Sequence, residues 1–370
     1  MKKTTRAVEI FYALTVIEPD LSCLDSSGLM LDDWEEAARI ALKCRLPLIF
    51  YSNIKKQRLE DKFSAGLLDP LRQGWLAAVK DAVILKEHFF EIARLFSTEN
   101  IKMVPIKGAS FLTDFYSEEG LRAASDLDCF IQGSDFEKSR GILKKLGYEP
   151  KFSIRRGVMV NYGQECEFIC PYKPRVDLHY RLFSWHEEKY LFHIDSRAFF
   201  ERAVLTRRAA LDFWCLNKED ELFYCLFLMV KEGQGFSRYF LDTDSLVRVH
   251  GNTLDWDRFR AQIEKNPLKS ELIGWMNFLS RSLKTPFPNF ITQFASEAGR
   301  KSDFLIFKEK NKNKSQLFGL TKSWADKLQL LIIYAKWQFF KAFGFFSEFF
   351  MTRNNPCKLT STLFDVKLPS

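Results

Sequence analysis

The chain has 370 residues, 46% hydrophobic and 28% charged, which excludes a disordered chain and allows two domains, or one domain with helical additions. Its net charge of +8, from 55 basic and 47 acidic residues, suits an anionic ligand such as a nucleotide and is too small to define a nucleic-acid-binding protein. The eight cysteines show no CxxC pair and no zinc spacing, so a metal finger is set aside and a reducing, cytoplasmic setting is expected.

The opening MKKTTRAVEIFYALTVIEPD is interrupted by Arg6 and Glu9 and has no small-residue cleavage site, so it reads as a helix and not a signal peptide. Residues 32–44 (DDWEEAARIALKC) carry apolar residues at helical spacing. Over 74–97, Ala78, Ala82, Leu85, Phe89, Ile92 and Phe96 recur at alternating steps of four and three. That is one apolar stripe on a long helix. Asp69-Pro70 suits its entry, since proline is tolerated in a first turn.

The period then changes. KMVPI (102–106) has strand length, Lys107-Gly108 breaks it, and ASFLTDFY (109–116) reads as a short helix. SDLDCFI (125–131) is the next strand. Ser134 and Glu137 form a capping-box signature that opens a helix ending at Gly147. Three strand-like runs follow: GVMVNY (157–162), ECEFIC (165–170) and RVDLHYRLF (175–183). In the last, Val176, Leu178, Tyr180 and Leu182 point one way and Asp177, His179 and Arg181 the other.

From about 217 the helical period returns, with Asn217 as the cap of NKEDELFYCLFLMVKE, followed by helices over 254–265 and 270–283. A lysine-rich break at 308–316 precedes an aromatic helix over 328–351. Two lysines and a glutamate interrupt that helix, so packing against other helices is favoured over contact with a membrane surface. The pattern predicts an α+β protein: an N-terminal helical region (1–98), an α+β core with a small mixed sheet (99–210) and a C-terminal helical region (211–370).

The chemistry concentrates in the core. On a strand, Asp126 and Asp128 share one side, and two carboxylates there can hold an oxygen-seeking cation, magnesium when phosphates supply further ligands. Asp177 on a second strand could complete a three-carboxylate site that holds two metals. Alone, an Asp-x-Asp near a strand end is more often a solvated edge. The Lys107–Ser110 turn, a strand followed by a helix start, suits an anion, with Gly108 admitting a phosphate close to the backbone. Arg122 could reach a phosphate bidentately or neutralise the acidic cluster, and His179 could orient a carboxylate or touch an acceptor.

The stretches VPIKGASFLTDFY, LRAASDLDCFI, ILKKLGYEP and VDLHYRLF resemble the DNA-polymerase-β-like nucleotidyltransferase superfamily, in particular its bacterial branch of uncharacterised nucleotidyltransferases. The resemblance implies that Asp126, Asp128 and Asp177 bind Mg2+ or Mn2+ and carry catalysis. It places Gly108 and Ser110 at the nucleotide phosphates, where the residues themselves suggest Lys107 as a charge and Arg122 as a candidate phosphate ligand. Ala109-Ser110 replaces the superfamily's commoner Gly-Gly or Gly-Ser, while Lys107 to Ala109 match the branch's Lys-Gly-Ala. The expected reaction moves a nucleoside monophosphate from an NTP, ATP among them, to an acceptor hydroxyl and releases pyrophosphate; the acceptor could be a small molecule, a protein or an RNA. The alternatives are a glycosyltransferase using Asp-x-Asp on a sugar nucleotide, or a non-catalytic binding module associated with membrane through 328–351.

Overall fold

The computed structural model describes residues 2–22, 24, 29–44, 46–114, 122, 124–151, 164–185, 187–208, 211–232, 238–290 and 293. The expected strand at 157–162, the lysine-rich break and the helix at 328–351 lie outside them.

Three helices open the chain: α1 (Lys2–Ala13), α2 (Leu31–Lys43) and α3 (Pro47–Lys56). They lead into α4 (Ala65–Thr98), whose buried residues include the predicted stripe from Ala78 to Phe96. This helix starts earlier than predicted, so Pro70 lies inside it and not at its entry. The missing proline N–H would have met the carbonyl of Gly66, which is exposed and can be solvated instead.

The sheet has the order β1-β2-β5-β4-β3, formed by β1 (Val104–Pro105), β2 (Asp126–Phe130), β3 (Glu149–Pro150), β4 (Glu165–Ile169) and β5 (Arg175–His179). Its central pair, β2 and β5, is parallel, and the other pairs are antiparallel, so the sheet is mixed as expected. Helix α5 (Gly108–Asp114) follows β1 directly, and α6 (Phe136–Lys145) follows β2. Ser134 does not cap α6. It lies in a 3-10 turn (Gly133–Asp135), and Asp135 takes the cap position without a side-chain bond. A turn that runs straight into the helix leaves the serine too early to reach the free N–H groups. Gly147 ends the helix in the left-handed conformation, φ 87°, as predicted.

After β5 come α7 (Ser196–Glu201) and a hairpin of β6 (Val204–Arg208) and β7 (Leu211–Cys215), absent from the sequence reading. Helices α8 (Lys218–Glu232), α9 (Arg238–His250), α10 (Trp256–Lys265) and α11 (Lys269–Ser282) complete the described chain. Asn217 caps α8 by accepting the Asp220 N–H at 2.9 Å. Among the described residues, no helix is long and apolar enough to cross a membrane.

Two cores result. Leu127, Cys129 and Ile131 of the β2 segment join Cys166, Phe168, Val176, Leu178 and Tyr180 on the back of the sheet, under the second half of α4 and under α6. The other core joins α1–α3 to α8–α11 and takes in Leu71, Phe111 and Phe130. Leu182 belongs to this second core, so the predicted alternation of 175–183 stops at Tyr180, just beyond the strand end.

Candidate active site

The polar face of the sheet carries the site. Strand register sets Asp126 beside Arg175, Asp128 beside Asp177 and Phe130 beside His179. On the other flank Glu165 stands beside His179 and Glu167 beside Asp177. Side chains alternate across a strand, so these residues share one side while Leu127, Val176, Leu178 and Cys166 take the other. Phe130 closes this face against the helical core, and accessibility increases toward Asp126.

The Lys107–Gly108 turn adjoins Asp128 because the Ile106 N–H donates to the Asp128 carbonyl at 3.1 Å. Lys107 is left-handed, φ 52°, an unusual conformation for a residue with a Cβ. Gly108 is required by space: a Cβ there would stand 2.9 Å from the Cβ of Ala124. The same point lies 3.8 Å from the Arg122 guanidinium.

Lys107 Nζ donates to Asp128 Oδ1 at 2.7 Å, with His179 Nε2 3.4 Å and Glu165 Oε2 3.9 Å away. His179 is fully buried, and its Nε2 lies 2.8 Å from Asp128 Oδ1 and 3.1 Å from Glu165 Oε2. Arg175 pairs with Asp126, with Glu167 at 2.9 Å and, through Nε, with Asp177 Oδ1 at 3.4 Å. Lys151 adds a second cation to Glu167, at 2.8 Å.

This arrangement splits the carboxylates. Burial alone would raise the Asp128 carboxyl, but the His179 hydrogen bond and the Lys107 charge outweigh it and hold the group at about 2. Asp177 goes the other way: burial, then the charge of Asp128, push it up to about 7 despite Arg175. Lys107 is pulled down by burial, yet Asp128 and Glu165 prevail and raise its pKa above the ordinary lysine value.

The Asp177 shift has a consequence for stability without divalent ions. The folded chain keeps a proton on Asp177 that the unfolded chain has released once the pH passes 3.8. Between those values the unfolded chain gains by releasing this proton and the folded chain does not, so stability falls progressively from pH 3.8 to about 7. Asp177→Asn is therefore expected to raise the melting temperature at pH 8 with chelator present, by a gain on the order of 1–4 kcal/mol, and to change it much less at pH 5. Thermal denaturation of both proteins at the two pH values measures this; equal shifts would refute it.

The donor set fits a divalent cation. The ligand atoms of Asp128, Glu165 and His179 all lie within 4.8 Å of one another. Among the described residues, Asp177 Oδ1 is buried with no hydrogen-bond partner. Hard carboxylate oxygens and one imidazole are donors that such ions accept.

The structure brings Asp126, Asp128, Asp177, Lys107, Gly108 and His179 together. Ser110 and Arg122 sit one layer behind. Ser110 is fully buried and donates to Glu221 of α8, which Lys218 also approaches at 3.2 Å. Arg122 grips Asp242 of α9 with two bonds, 2.7 and 2.8 Å, both residues being buried. Sequence reasoning missed Glu165, Glu167, Arg175, Lys151 and Asp242. The glutamates carried a signal, since they alternate with Cys166 and Phe168 on a strand already recognised. Arg175 carried the same signal, two residues before Asp177 on the alternating strand, whereas Lys151 and Asp242 are defined by pairings distant in sequence.

The family profile described as uncharacterised nucleotidyltransferase matches residues 31–279. No curated protein matches the chain. Among solved structures, similarity is found to a lincosamide antibiotic adenylyltransferase, LnuA, bound to lincomycin, at 14% identity over 44% of this chain and 95% of that one, TM-score 0.31. The antibiotic-resistance factor ANT(2'')-Ia is 10% identical over 50% and 90% of the two chains, TM-score 0.32. An antigenic nucleotidyltransferase-like protein from Paracoccidioides brasiliensis is 13% identical over 57% and 97%, TM-score 0.35.

Proposed function

The chain belongs to the uncharacterised nucleotidyltransferase family, and from that premise we propose that it transfers a nucleoside monophosphate from an NTP to an acceptor hydroxyl with release of pyrophosphate. The observation that carries this reading is the register: Asp128 stands opposite Asp177, and Asp126 lies two residues away on the same face, next to a turn that ends at a helix start. Membership in a nucleotidyltransferase family also weighs against the sugar-nucleotide and non-catalytic alternatives.

Asp126, Asp128 and Asp177 would hold Mg2+ or Mn2+, which when bound supplies charge neutralisation for the triphosphate and a lowered pKa for the acceptor hydroxyl. Lys107 and the backbone at Gly108, the first residue of α5, receive the phosphates. Ser110 and Arg122 hold that turn from behind, against α8 and α9. Asp177, whose Oδ1 makes no hydrogen bond and only a 3.4 Å ion pair to Arg175, takes the proton of the acceptor hydroxyl. The hydroxyl oxygen forms its bond to the α-phosphorus as the bond to the β-phosphate oxygen breaks, and pyrophosphate leaves carrying the electron pair. His179 lies beside Asp128 and fixes that carboxylate's orientation.

An α-labelled NTP incubated with the protein and cell extract is expected to label a discrete acceptor, and label in the γ-position is expected to appear only in pyrophosphate. Labelling that persists undiminished with excess chelator, or the transfer of γ-label instead of α-label, would end this proposal.

A further inference from the structure

The Lys107 ammonium is coordinated like an ion. Its three nearest polar partners in the site, Asp128 Oδ1, His179 Nε2 and Glu165 Oε2, are the atoms that also approach one another closely enough to share a cation. Asp128 is buried and His179 fully so, while the Glu165 side chain is 40% exposed, which opens the cluster to solvent on one side. His179 Nδ1 is buried without a hydrogen-bond partner among the described residues. In this structure Nε2–H donates to the Asp128 carboxylate, and an Nδ1 with no bond to give up can take the proton when Nε2 offers its lone pair to a cation.

We propose that Asp128, Glu165 and His179 form a divalent-cation position whose occupant in the nucleotide-free protein is the Lys107 ammonium, and that the ion and the triphosphate together draw Lys107 out. This rests on the nucleotidyltransferase reading above and extends it: Glu165 and His179 become ion ligands beyond the three aspartates, and Lys107 becomes a gate. Two cations cannot share this space, because in a buried site their repulsion exceeds its value in water several-fold. Ion binding must therefore displace the lysine, and apparent ion affinity is reduced by the fraction of molecules in which the lysine is out. The triphosphate provides the ammonium with an alternative partner at the adjacent turn, which couples the two binding events. An imidazole nitrogen among the donors favours Mn2+ over Mg2+.

Mn2+ titrations of the full chain, followed by the EPR signal of free Mn2+, test this with and without a non-hydrolysable NTP analogue. Wild type is expected to bind Mn2+ at least tenfold more tightly with the analogue. Lys107→Gln should bind Mn2+ at least tenfold more tightly than wild type without nucleotide, and Glu165→Gln should weaken binding in both states. Wild type with Mn2+ and analogue should also show spin-echo modulation from a directly bound nitrogen, a signature that requires no variant. If wild type binds Mn2+ with the analogue but shows no nitrogen coupling, or Lys107→Gln gains nothing, this inference falls while the nucleotidyltransferase reading stands. If neither protein binds Mn2+ even with the analogue, both fall.

Discussion

Asp128→Asn is expected to lower NTP-dependent transfer by on the order of 1,000-fold or more while the protein stays folded. Asp128 is the carboxylate on which the site converges: Lys107 and His179 both bond its Oδ1, and its register partner is Asp177. Its pKa of about 2 keeps it ionised across the working range, so the site always has one permanent negative charge at its centre. A bound metal contributes several kcal/mol of charge stabilisation, and each 1.36 kcal/mol is tenfold in rate. Asparagine keeps the shape and one acceptor oxygen but loses the charge, so the loss should fall on kcat. Single-turnover assays with saturating NTP and Mg2+ or Mn2+, alongside circular dichroism, measure both quantities. A folded variant that retains more than about a tenth of the activity would remove Asp128 from the centre of the mechanism.

The asparagine variant also leaves Lys107 beside Glu165 at 3.9 Å as its remaining anionic contact in the cluster. Glu165 is more exposed than Asp128, so it neutralises the ammonium less completely. A modest fall in melting temperature is compatible with the mechanism, whereas global unfolding is not.

Much of this centre was legible in the sequence because its signals are local. The two periodicities separated helix from strand, and the alternation in 175–183 placed Asp177 and His179 on one face. The same rule applied to ECEFI puts Glu165 and Glu167 on a polar face, yet it cannot say which strand lies alongside. That depends on the parallel pairing of β2 with β5 and the antiparallel pairing of β4 with β5, which are long-range choices. The β6–β7 hairpin escaped for another reason. Its strands are joined across Ala-Ala, without the Gly, Asn or Asp that marks a tight turn. The start of α4 was missed because Pro70 read as a boundary, whereas an exposed Gly66 tolerates it inside the helix.

Arg122 shows where sequence reasoning must stop and measurement decide. In the sequence it could bind a phosphate or balance nearby carboxylates, and its structural partner, Asp242, lies 120 residues away. The pair is bidentate, and Asp242 is fully buried. Removing one member of such a pair strands the other's charge in a low-dielectric interior, at a cost of about 3–5 kcal/mol. Replacing both with apolar residues removes the stranded charge and should be far less damaging. Arg122→Leu and Asp242→Leu are therefore each expected to lose about 3–5 kcal/mol in urea denaturation, and the double variant much less than the sum. The kinetics separate the two roles. If the guanidinium serves to hold the Gly108 turn against α9, the double variant recovers stability and its KM for NTP returns to within about tenfold of wild type, equivalent to about 1.4 kcal/mol. That is the expected outcome, because the structure commits two guanidinium nitrogens to Asp242. A double variant that is stable yet retains a KM raised a hundredfold would instead place Arg122 on the triphosphate itself.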